Sequence, residues 1–536
     1  VRVAETKASD TLIERFERLN AIGASLSDEP DIERLLESIL LAAKAITHAD
    51  GGTLYRVSED RKVLRFEIVR TDSLKIACGG TAACPVSATF TDLPLHGDDG
   101  EPNTSLVAAY STLSGKTVNI ADAYSAHGFD FSGTREFDRT TGYRSRSFLT
   151  VPMKNHENEV IAVLQLINAI DPESGAVRVF SEADQRLAES LASQAAVALT
   201  SHLLVRQFEE LFEAFIRVIN LAIDEKSPHT GGHCQRVPVL TMMLADAVEA
   251  TTEGPFADFR MSEQDRYELK IAGLLHDCGK VTTPVHVVDK ASKLQTIFDR
   301  IELIATRFEV ARRDAELAML RAIDAGASRD RARSDYLEKS RAIDADRDFL
   351  RRVNRGSEEM SHEDQRRVRE ISGKYRWRDG EGRERDFLRE DEIENLTIRS
   401  GTLTAAERET INYHIVATIK MLDALPWPRR LRHVPEYAGG HHERIDGKGY
   451  PKGLRRDEMS VQARIMGLAD IFEAITASDR PYKPGMKLSE ALRILGNFSR
   501  EGHIDPELLA VFVKQKVYLE YAKAYLDPAQ IDERAV

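Results

Sequence analysis

Leu274-Leu275-His276-Asp277-Cys278-Gly279-Lys280 closes an apolar helical run with an imidazole, a carboxylate and an ammonium group in quick succession. A carboxylate is costly to bury in apolar surroundings unless something compensates its charge, and a metal ion does so. Four other segments offer the same residue types. Glu225 and His229 stand four apart at a predicted helix end, a spacing that places both on one side. His414 follows Asn412-Tyr413, His441 and His442 are adjacent, and Asp470 lies in the apolar run Gly467-Leu468-Ala469-Asp470-Ile471-Phe472. Taken singly these signals are weak, since a lone helical His is more often a core or surface residue, and a Glu and His four apart are more often a solvated pair. Taken together they form a donor set. Imidazole and carboxylate without thiolate favour iron, manganese or another octahedral first-row metal over structural zinc. The candidate ligands are Glu225, His229, His276, Asp277, His414, His441, His442 and Asp470, more than one ion needs. Two ions sharing a carboxylate, with Asp277 the natural bridge, activate water and clamp the attacking and leaving oxygens of a phosphoryl transfer. The expected reaction class is phosphoester hydrolysis.

The 536 residues exceed one ordinary domain, so two or three folded units are expected. With 42% hydrophobic and 30% charged residues the composition is that of a soluble globular protein, and no apolar run reaches the ~20 residues of a membrane span. No export signal is legible and a cytoplasmic location is expected; the first residue is Val1 rather than Met, which leaves room for an upstream segment. The net charge of -13 argues against a nucleic acid polymer as partner. Cys78, Cys84, Cys234 and Cys278 are too few and too irregularly spaced for a disulfide framework or a four-thiolate zinc site, which fits a reducing compartment.

The amphipathic pattern Leu12, Phe16, Leu19, Ile22 and Leu26 predicts a helix over 10–26. From 31 to 200 the pattern is mixed. A helix is expected around Ile32 to Ile46, strands near 52–57, 63–69, 148–154 and 160–168, and a long helix from Ser181 past Leu204. Strands between terminal helices imply an antiparallel sheet flanked by helices. The closing helix continues through Phe208, Leu211, Phe212, Phe215 and Ile219 without a Pro or Gly break, so a linker helix over 201–222 is expected. Its apolar stripe either packs on its own domains or pairs two copies of the chain.

Three pieces of the first region, Gly115-Lys116-Thr117-Val118-Asn119-Ile120-Ala121-Asp122, Ser147-Phe148-Leu149-Thr150-Val151-Pro152 and Val163-Leu164-Gln165-Leu166-Ile167-Asn168, resemble a GAF sensory domain over 31–200. The resemblance implies a small ligand, of unknown identity, held between sheet and loops. Some GAF domains bind cyclic nucleotides through a pattern of which this chain keeps Asn168, Phe180 and Asp184 but has Ala169 and Gln185 where Lys and Glu would stand.

Downstream, His276-Asp277-Cys278-Gly279-Lys280 resembles the HD superfamily signature. His441-His442-Glu443-Arg444-Ile445-Asp446-Gly447-Lys448-Gly449-Tyr450-Pro451 resembles the element that names the HD-GYP family, and 469–483 is a third matching block. The resemblance covers 205–295 and 400–525. It implies an all-α domain that hydrolyses cyclic di-GMP to the linear dinucleotide and in some members to GMP. Two or three divalent ions would be held by His276, Asp277, His414, His441, His442 and Asp470, with His229 completing the set and Glu225 matching a third metal position. Asp277 and Lys280 would be catalytic, Lys280 neutralising a phosphate oxygen. Arg480 and Lys483 match basic residues facing ligand phosphates, or are an exposed helix-end pair. Tyr450 either contacts a guanine or plugs its loop, which Asp446, Gly447 and Gly449 shape. His414 departs from the family, being followed by Ile415-Val416-Ala417-Thr418 rather than by Pro.

A segment of 296–399 interrupts the domain. Ile297, Ile301, Ile304, Phe308, Ala311, Ala315, Ala318 and Ala322 alternate four and three residue steps, and a second helix from Asp330 to Val353 carries Lys339 and Asp346 within its apolar side. An antiparallel helical hairpin is expected, followed by a mobile polar loop over 372–386. It would be decoration, a cover for the site, a protein partner's surface or part of a dimer contact. The expected fold is thus multidomain: an α+β domain, then an all-α domain with a helical-hairpin insertion. Alternatives to cyclic di-GMP hydrolysis are another cyclic dinucleotide, such as 3',3'-cyclic GMP-AMP, and a nucleotide-binding signalling scaffold.

Overall fold

The structure is a computed structural model that describes residues 20–26, 29, 31–86, 90–97, 99–226, 232–356, 359–478 and 485–532. The predicted N-terminal helix is described from residue 20 to 26, where it is helical; its earlier part lies outside the described residues, as do His229, Arg480 and Lys483. The chain divides into two units, Val1–Leu211 and Phe212–Val536.

The first unit is built on an antiparallel sheet. Its strands are β1 (Ala49–Val57), β2 (Val63–Thr71), β3 (Ile76–Cys78), β4 (Leu93–Pro94), β5 (Val118–Ile120), β6 (Phe148–Lys154), β7 (Val160–Ile170) and β8 (Val177–Arg178). They pair in the order β3-β2-β1-β7-β6-β5, with β4 on β2 and β8 on β7. Strand residues alternate between faces. Leu54, Leu164 and Leu166 join Leu35, Leu36, Ile39 and Leu40 of the Ile32–Thr47 helix and Leu187, Leu191 and Ala195 of the Glu182–Lys226 helix in one core. Tyr55, Val163 and Ala108 form a smaller cluster with alternate residues of the same strands. Asp31 caps the first helix by accepting from the amides of Glu33 and Arg34.

The three residues shared with the cyclic-nucleotide pattern have structural work in this unit. Asn168, with φ 55°, accepts from the Arg146 and Ser147 amides at 2.7 and 3.2 Å and donates to the Arg144 carbonyl at 2.9 Å. Phe180 is core, and buried Asp184 accepts from Arg178 and Ser181 at the helix start. Cys78 and Cys84 are joined by a disulfide with Cα atoms 4.6 Å apart, a pairing that the cysteine spacing did not suggest.

The second unit is helical. Its core joins the helices His233–Glu249, Glu263–Leu275, Val434–Gly439, Val461–Thr476, Leu488–Arg500, Pro506–Lys514 and Val517–Tyr525. Capping boxes fix two helix starts, Ser262 with Asp265 and Thr404 with Glu407.

The insertion is a subdomain with its own core rather than a bare hairpin. The Ile301–Asp324 and Arg329–Asn354 helices run antiparallel, bridged by Arg351 to Glu302 and by Arg312 to Asp344. The seam starts at Ile301 and not at Ile297, which is 97% exposed and precedes the helix. Asp346, an interruption on the sequence pattern, is buried and satisfied by Lys374, Tyr375 and Arg367. Where a mobile loop was expected there is a helix end at Lys374 and a β-hairpin, Arg376–Arg378 with Glu384–Asp386. The pattern missed it because its anchors, Tyr375 and Phe387, bracket the polar run and pack against Phe308.

Lys293 is buried at the root of this subdomain, donating to the Ile398 and Leu396 carbonyls at 2.8 and 3.2 Å. Burial pushes its ammonium down to about 8, opposed only by the charge of Asp364. The folded chain therefore releases this proton near pH 8, and the unfolded chain near the ordinary value of 10.5. Between those values the unfolded state binds more protons, so stability rises with pH. Wild type should gain roughly 3 kcal/mol relative to Lys293→Met from pH 8 to pH 10.5, with no difference in slope below pH 8. Urea unfolding followed by tryptophan fluorescence reports this unit alone, because the chain's two tryptophans are Trp377 and Trp427. Parallel pH profiles for the two proteins would refute the assignment.

Candidate metal centre

His276 is the residue that ends the Glu263–Leu275 helix, and Asp277 begins the tight turn that follows. That turn is pressed onto the Ala405–Asp423 helix. A Cβ on Gly279 would lie 2.0 Å from the His414 carbonyl oxygen and 2.5 Å from the Thr418 amide, and the Gly279 amide donates to Thr418 Oγ1 at 2.9 Å. Only glycine permits this approach, which brings His414 beside Asp277.

His441 and His442 follow the short Val434–Gly439 helix, Asp470 comes from mid-helix in Val461–Thr476, and His233 opens His233–Glu249. Two groups result, His233 with His276 and Asp277, and His414 with His441 and His442. Asp277 touches both. Its Oδ2 lies 3.1 Å from His233 Nε2 and 3.2 Å from His276 Nε2, and its Oδ1 lies 3.3 Å from His414 Nε2. Asp470 Oδ1 is 3.1 Å from His233 Nε2 and 3.9 Å from His276 Nε2.

The ring orientations decide what the imidazoles present. Nδ1 of His276, His414 and His441 each meets the carbonyl oxygen three residues earlier, of Gly273, Ile411 and Ala438. A carbonyl only accepts, so Nδ1 carries the proton and Nε2 offers its lone pair to the cluster. His441 Nε2 is buried with no hydrogen-bond partner among the described residues, and Asp277 Oδ1 likewise accepts no hydrogen bond. His414 and His442 bring their Nε2 atoms to 3.1 Å. Convergent lone pairs and an orphaned buried donor atom fit a bound cation.

The electrostatics agree. Burial alone would raise Asp277, but the charge of Lys280 and a hydrogen bond from His233 hold it well below the usual carboxylate range. Asp470 is also held well below, where hydrogen bonding and charge from His233 outweigh burial. Burial and the charge of His276 push His441 down to about 4; burial and His441 push His442 well below its ordinary value. Ionised Asp277 and Asp470 and neutral His441 and His442 are in the state that ligates metal, whereas His233, which burial and the charge of Lys280 would lower, is held well above its ordinary value by Glu473, Asp277 and Asp470 and would give up its proton to a bound cation. Burial raises the thiols of Cys234 and Cys278 to about 12 and 11, so both stay protonated.

Two residues of the site escaped the reading of the sequence. His233 stands in the cluster, while Glu225 is exposed on the last turn of its helix and outside both donor groups. Glu473 orients His233, taking its Nδ1 on one oxygen and Arg236 on the other, at 2.7 Å from Nε. Glu473 follows Asp470 by three residues on one helix, and that spacing was the available signal. Lys280 Nζ donates to Asp277. Tyr450 stacks on His442, with centroids 4.9 Å apart and planes at 19°. Its loop is clamped by buried Glu443, which accepts from the Lys452 and Leu454 amides, and Asp446 accepts from Lys448 and Arg444.

A helical array that gathers a His-Asp dyad with further His and Asp donors is an HD domain. Two family models described as HD domain match residues 230–347 and 391–508, and a GAF domain model matches 31–199. The chain is a GAF and HD domain protein. It is similar to a cyclic di-GMP phosphodiesterase of Pseudomonas aeruginosa, 49% identical over 74 residues, covering 14% of this chain and 17% of the relative. A 3'3'-cGAMP-specific phosphodiesterase of Vibrio cholerae is 38% identical over 116 residues, covering 22% and 24%. A cyclic di-GMP phosphodiesterase of Thermotoga maritima is 35% identical over 121 residues, covering 23% and 32%. The chain thus spans between about a sixth and a third of the length of these curated relatives. No described helix is long and apolar enough to cross a membrane.

Proposed function

We propose that the chain is a metal-dependent phosphodiesterase that opens a cyclic dinucleotide, cyclic di-GMP foremost, under control of its GAF domain. The observation that carries this reading is the pair of donor groups joined through Asp277. Ions of iron or manganese would be held by His233, His276, Asp277 and Asp470 on one side and by Asp277, His414, His441 and His442 on the other. A third position would draw on Glu225 and His229. When bound, the ions supply Lewis-acid activation of water and neutralise charge on the phosphate. Asp277 holds the two positions together, and Glu473 fixes the His233 ring. Lys280 adds a fixed cation for a phosphate oxygen, with Arg480 and Lys483 as further phosphate contacts and Tyr450 at the base.

The test is turnover of cyclic di-GMP by protein reconstituted with iron or manganese, followed as linear dinucleotide and GMP. A matched assay with 3',3'-cyclic GMP-AMP decides base choice, which the relatives leave open between the two substrates in their names. Nucleotide binding without product in every metal tested would favour a signalling scaffold instead.

The insertion is read as a partner surface outside catalysis, since it carries its own core. Replacing 296–399 by a short linker should leave kcat/KM within about threefold of wild type, as expected of an element that folds round its own core. A larger loss would make it part of the catalytic unit. A homodimer through the long helix is supported by Val197, Leu204, Leu211 and Val218, exposed at seven-residue intervals. A monomeric mass by sedimentation at micromolar concentration would remove that reading.

A further inference from the structure

The disulfide between Cys78 and Cys84 takes part in no step of phosphodiester hydrolysis, and it is poorly placed to staple the sheet unit. It joins residues only six apart. A cross-link restrains the unfolded chain more, the longer the loop it closes. A ring this short adds little of that restraint compared with a bond between distant strands.

The native shape of the ring is held by groups other than sulfur. Buried Arg70 donates to the carbonyls of Cys78 at 2.7 Å and Gly79 at 2.9 Å. The same guanidinium donates to Glu37 at 2.6 Å, whose other oxygen accepts from the Thr81 amide at 3.0 Å and hydroxyl at 2.6 Å. The Gly79 amide donates to the Cys84 carbonyl at 2.9 Å. Gly79 has φ 77°, and a Cβ there would lie 1.9 Å from the Glu67 carbonyl oxygen, so glycine alone allows the turn to sit this deep. On the strand, Cys78 pairs with Val69, and Val69, Cys78 and Val86 share a small core. Both cysteine backbones are thus fixed, with Cα atoms 4.6 Å apart, by contacts that do not pass through the sulfur bond. The two sulfurs differ in access, since Cys78 is buried while Cys84 is half-buried between exposed Ala83 and Pro85.

We propose that Cys78 and Cys84 form a reversible thiol-disulfide exchange site, reduced by small thiols or dithiols and re-formed by a small disulfide oxidant. A reductant thiolate attacks Cys84 Sγ, the sulfur-sulfur bond breaks, and Cys78 leaves as a thiolate that takes the proton released by the reductant. A second reductant thiol displaces Cys84 from the mixed disulfide, so two electrons and two protons enter the protein and the reductant becomes a disulfide. In the reverse direction Cys78 stands beside any adduct on Cys84 and expels it, because a thiol held in place outcompetes one that must diffuse in. The inference is independent of the metal centre and of its substrate.

The test equilibrates the full chain, without oxygen, in glutathione mixtures of graded thiol to disulfide ratio, with dithiothreitol at the reducing end. After acid quench and alkylation, peptide mass mapping follows Cys78 and Cys84 separately from Cys234 and Cys278. The pair should gain and lose its two labels together in one reversible transition, with the far-ultraviolet circular dichroism unchanged. The glutathione adduct at Cys84 should stay about tenfold or more below the disulfide in wild type and become the main oxidised form in Cys78→Ser. Glu37→Gln, which weakens the grip on Arg70 and Thr81, should favour the dithiol by about threefold or more. A pair that stays alkylated in oxidised glutathione, that resists dithiothreitol until the chain unfolds, that accumulates the adduct in wild type, or whose reduction costs secondary structure would overturn the proposal, as would an unshifted equilibrium in Glu37→Gln.

Discussion

Asp277→Ala is expected to lower kcat/KM for cyclic di-GMP by roughly three orders of magnitude, about 4 kcal/mol of transition-state stabilisation. The size of the effect follows from position. Among the described residues Asp277 is the side chain whose two oxygens face different donor groups, Oδ2 toward His233 and His276 and Oδ1 toward His414. On the proposed function its removal would separate two metal positions that act on one phosphate, and it takes from Lys280 the carboxylate to which it donates. Asp277→Asn keeps the volume and loses the charge, so a similar deficit is expected from it. Metal content per chain should fall in parallel, which distinguishes a lost ligand from a misplaced substrate. Wild-type turnover in either variant would sink the site as assigned.

The second large effect is expected at His233. Its Nε2 is 3.1 Å from both Asp277 and Asp470, so His233→Ala should weaken metal binding about 100-fold or more. Glu473→Gln tests the support behind it. Burial alone would raise Glu473, but the charge and hydrogen bond of His233, with Arg236, hold its carboxyl down to about 2. Loss of that carboxylate should cost between about 10-fold and 100-fold in metal affinity while the His ligands stay in place. Glu473→Asp should recover part of the loss by restoring the charge. His229→Ala is the discriminating control. If it removed metal and turnover while His233→Ala kept both, the arrangement around Asp277 would have to be redrawn.

The two domains were legible because their signals are local. The short apolar runs of β6 and β7, buried on both faces, and the apolar stripe of Ile32–Thr47 are written in residue order alone. The donor types were legible for a related reason. Asp277 and Asp470 sit in apolar runs where an uncompensated charge is costly, and that conflict is written in composition alone. Less legible was the insertion's β-hairpin, because Tyr375 and Phe387 acquire meaning only when Phe308, more than sixty residues earlier, packs against them. Asp346 misled for the same reason, its partners arriving from the next helix.

By itself the sequence supplied the expectation that His276, Asp277, His414, His441, His442 and Asp470 are donors of the kind that hold a metal ion, and it showed a sheet domain before a helical one. Ligand chemistry and hydrophobic periodicity depend on residue type and spacing, which are there to be read. Only the tertiary structure placed His233 beside His276 and Asp277, set Glu473 behind it, and turned Nε2 of three imidazoles inward by spending Nδ1 on a carbonyl one turn back. It also decided that Cys78 meets Cys84. These are facts of direction and approach, such as the contact of Gly279 with the His414 backbone, and direction is set by which surfaces pack together across long stretches of chain.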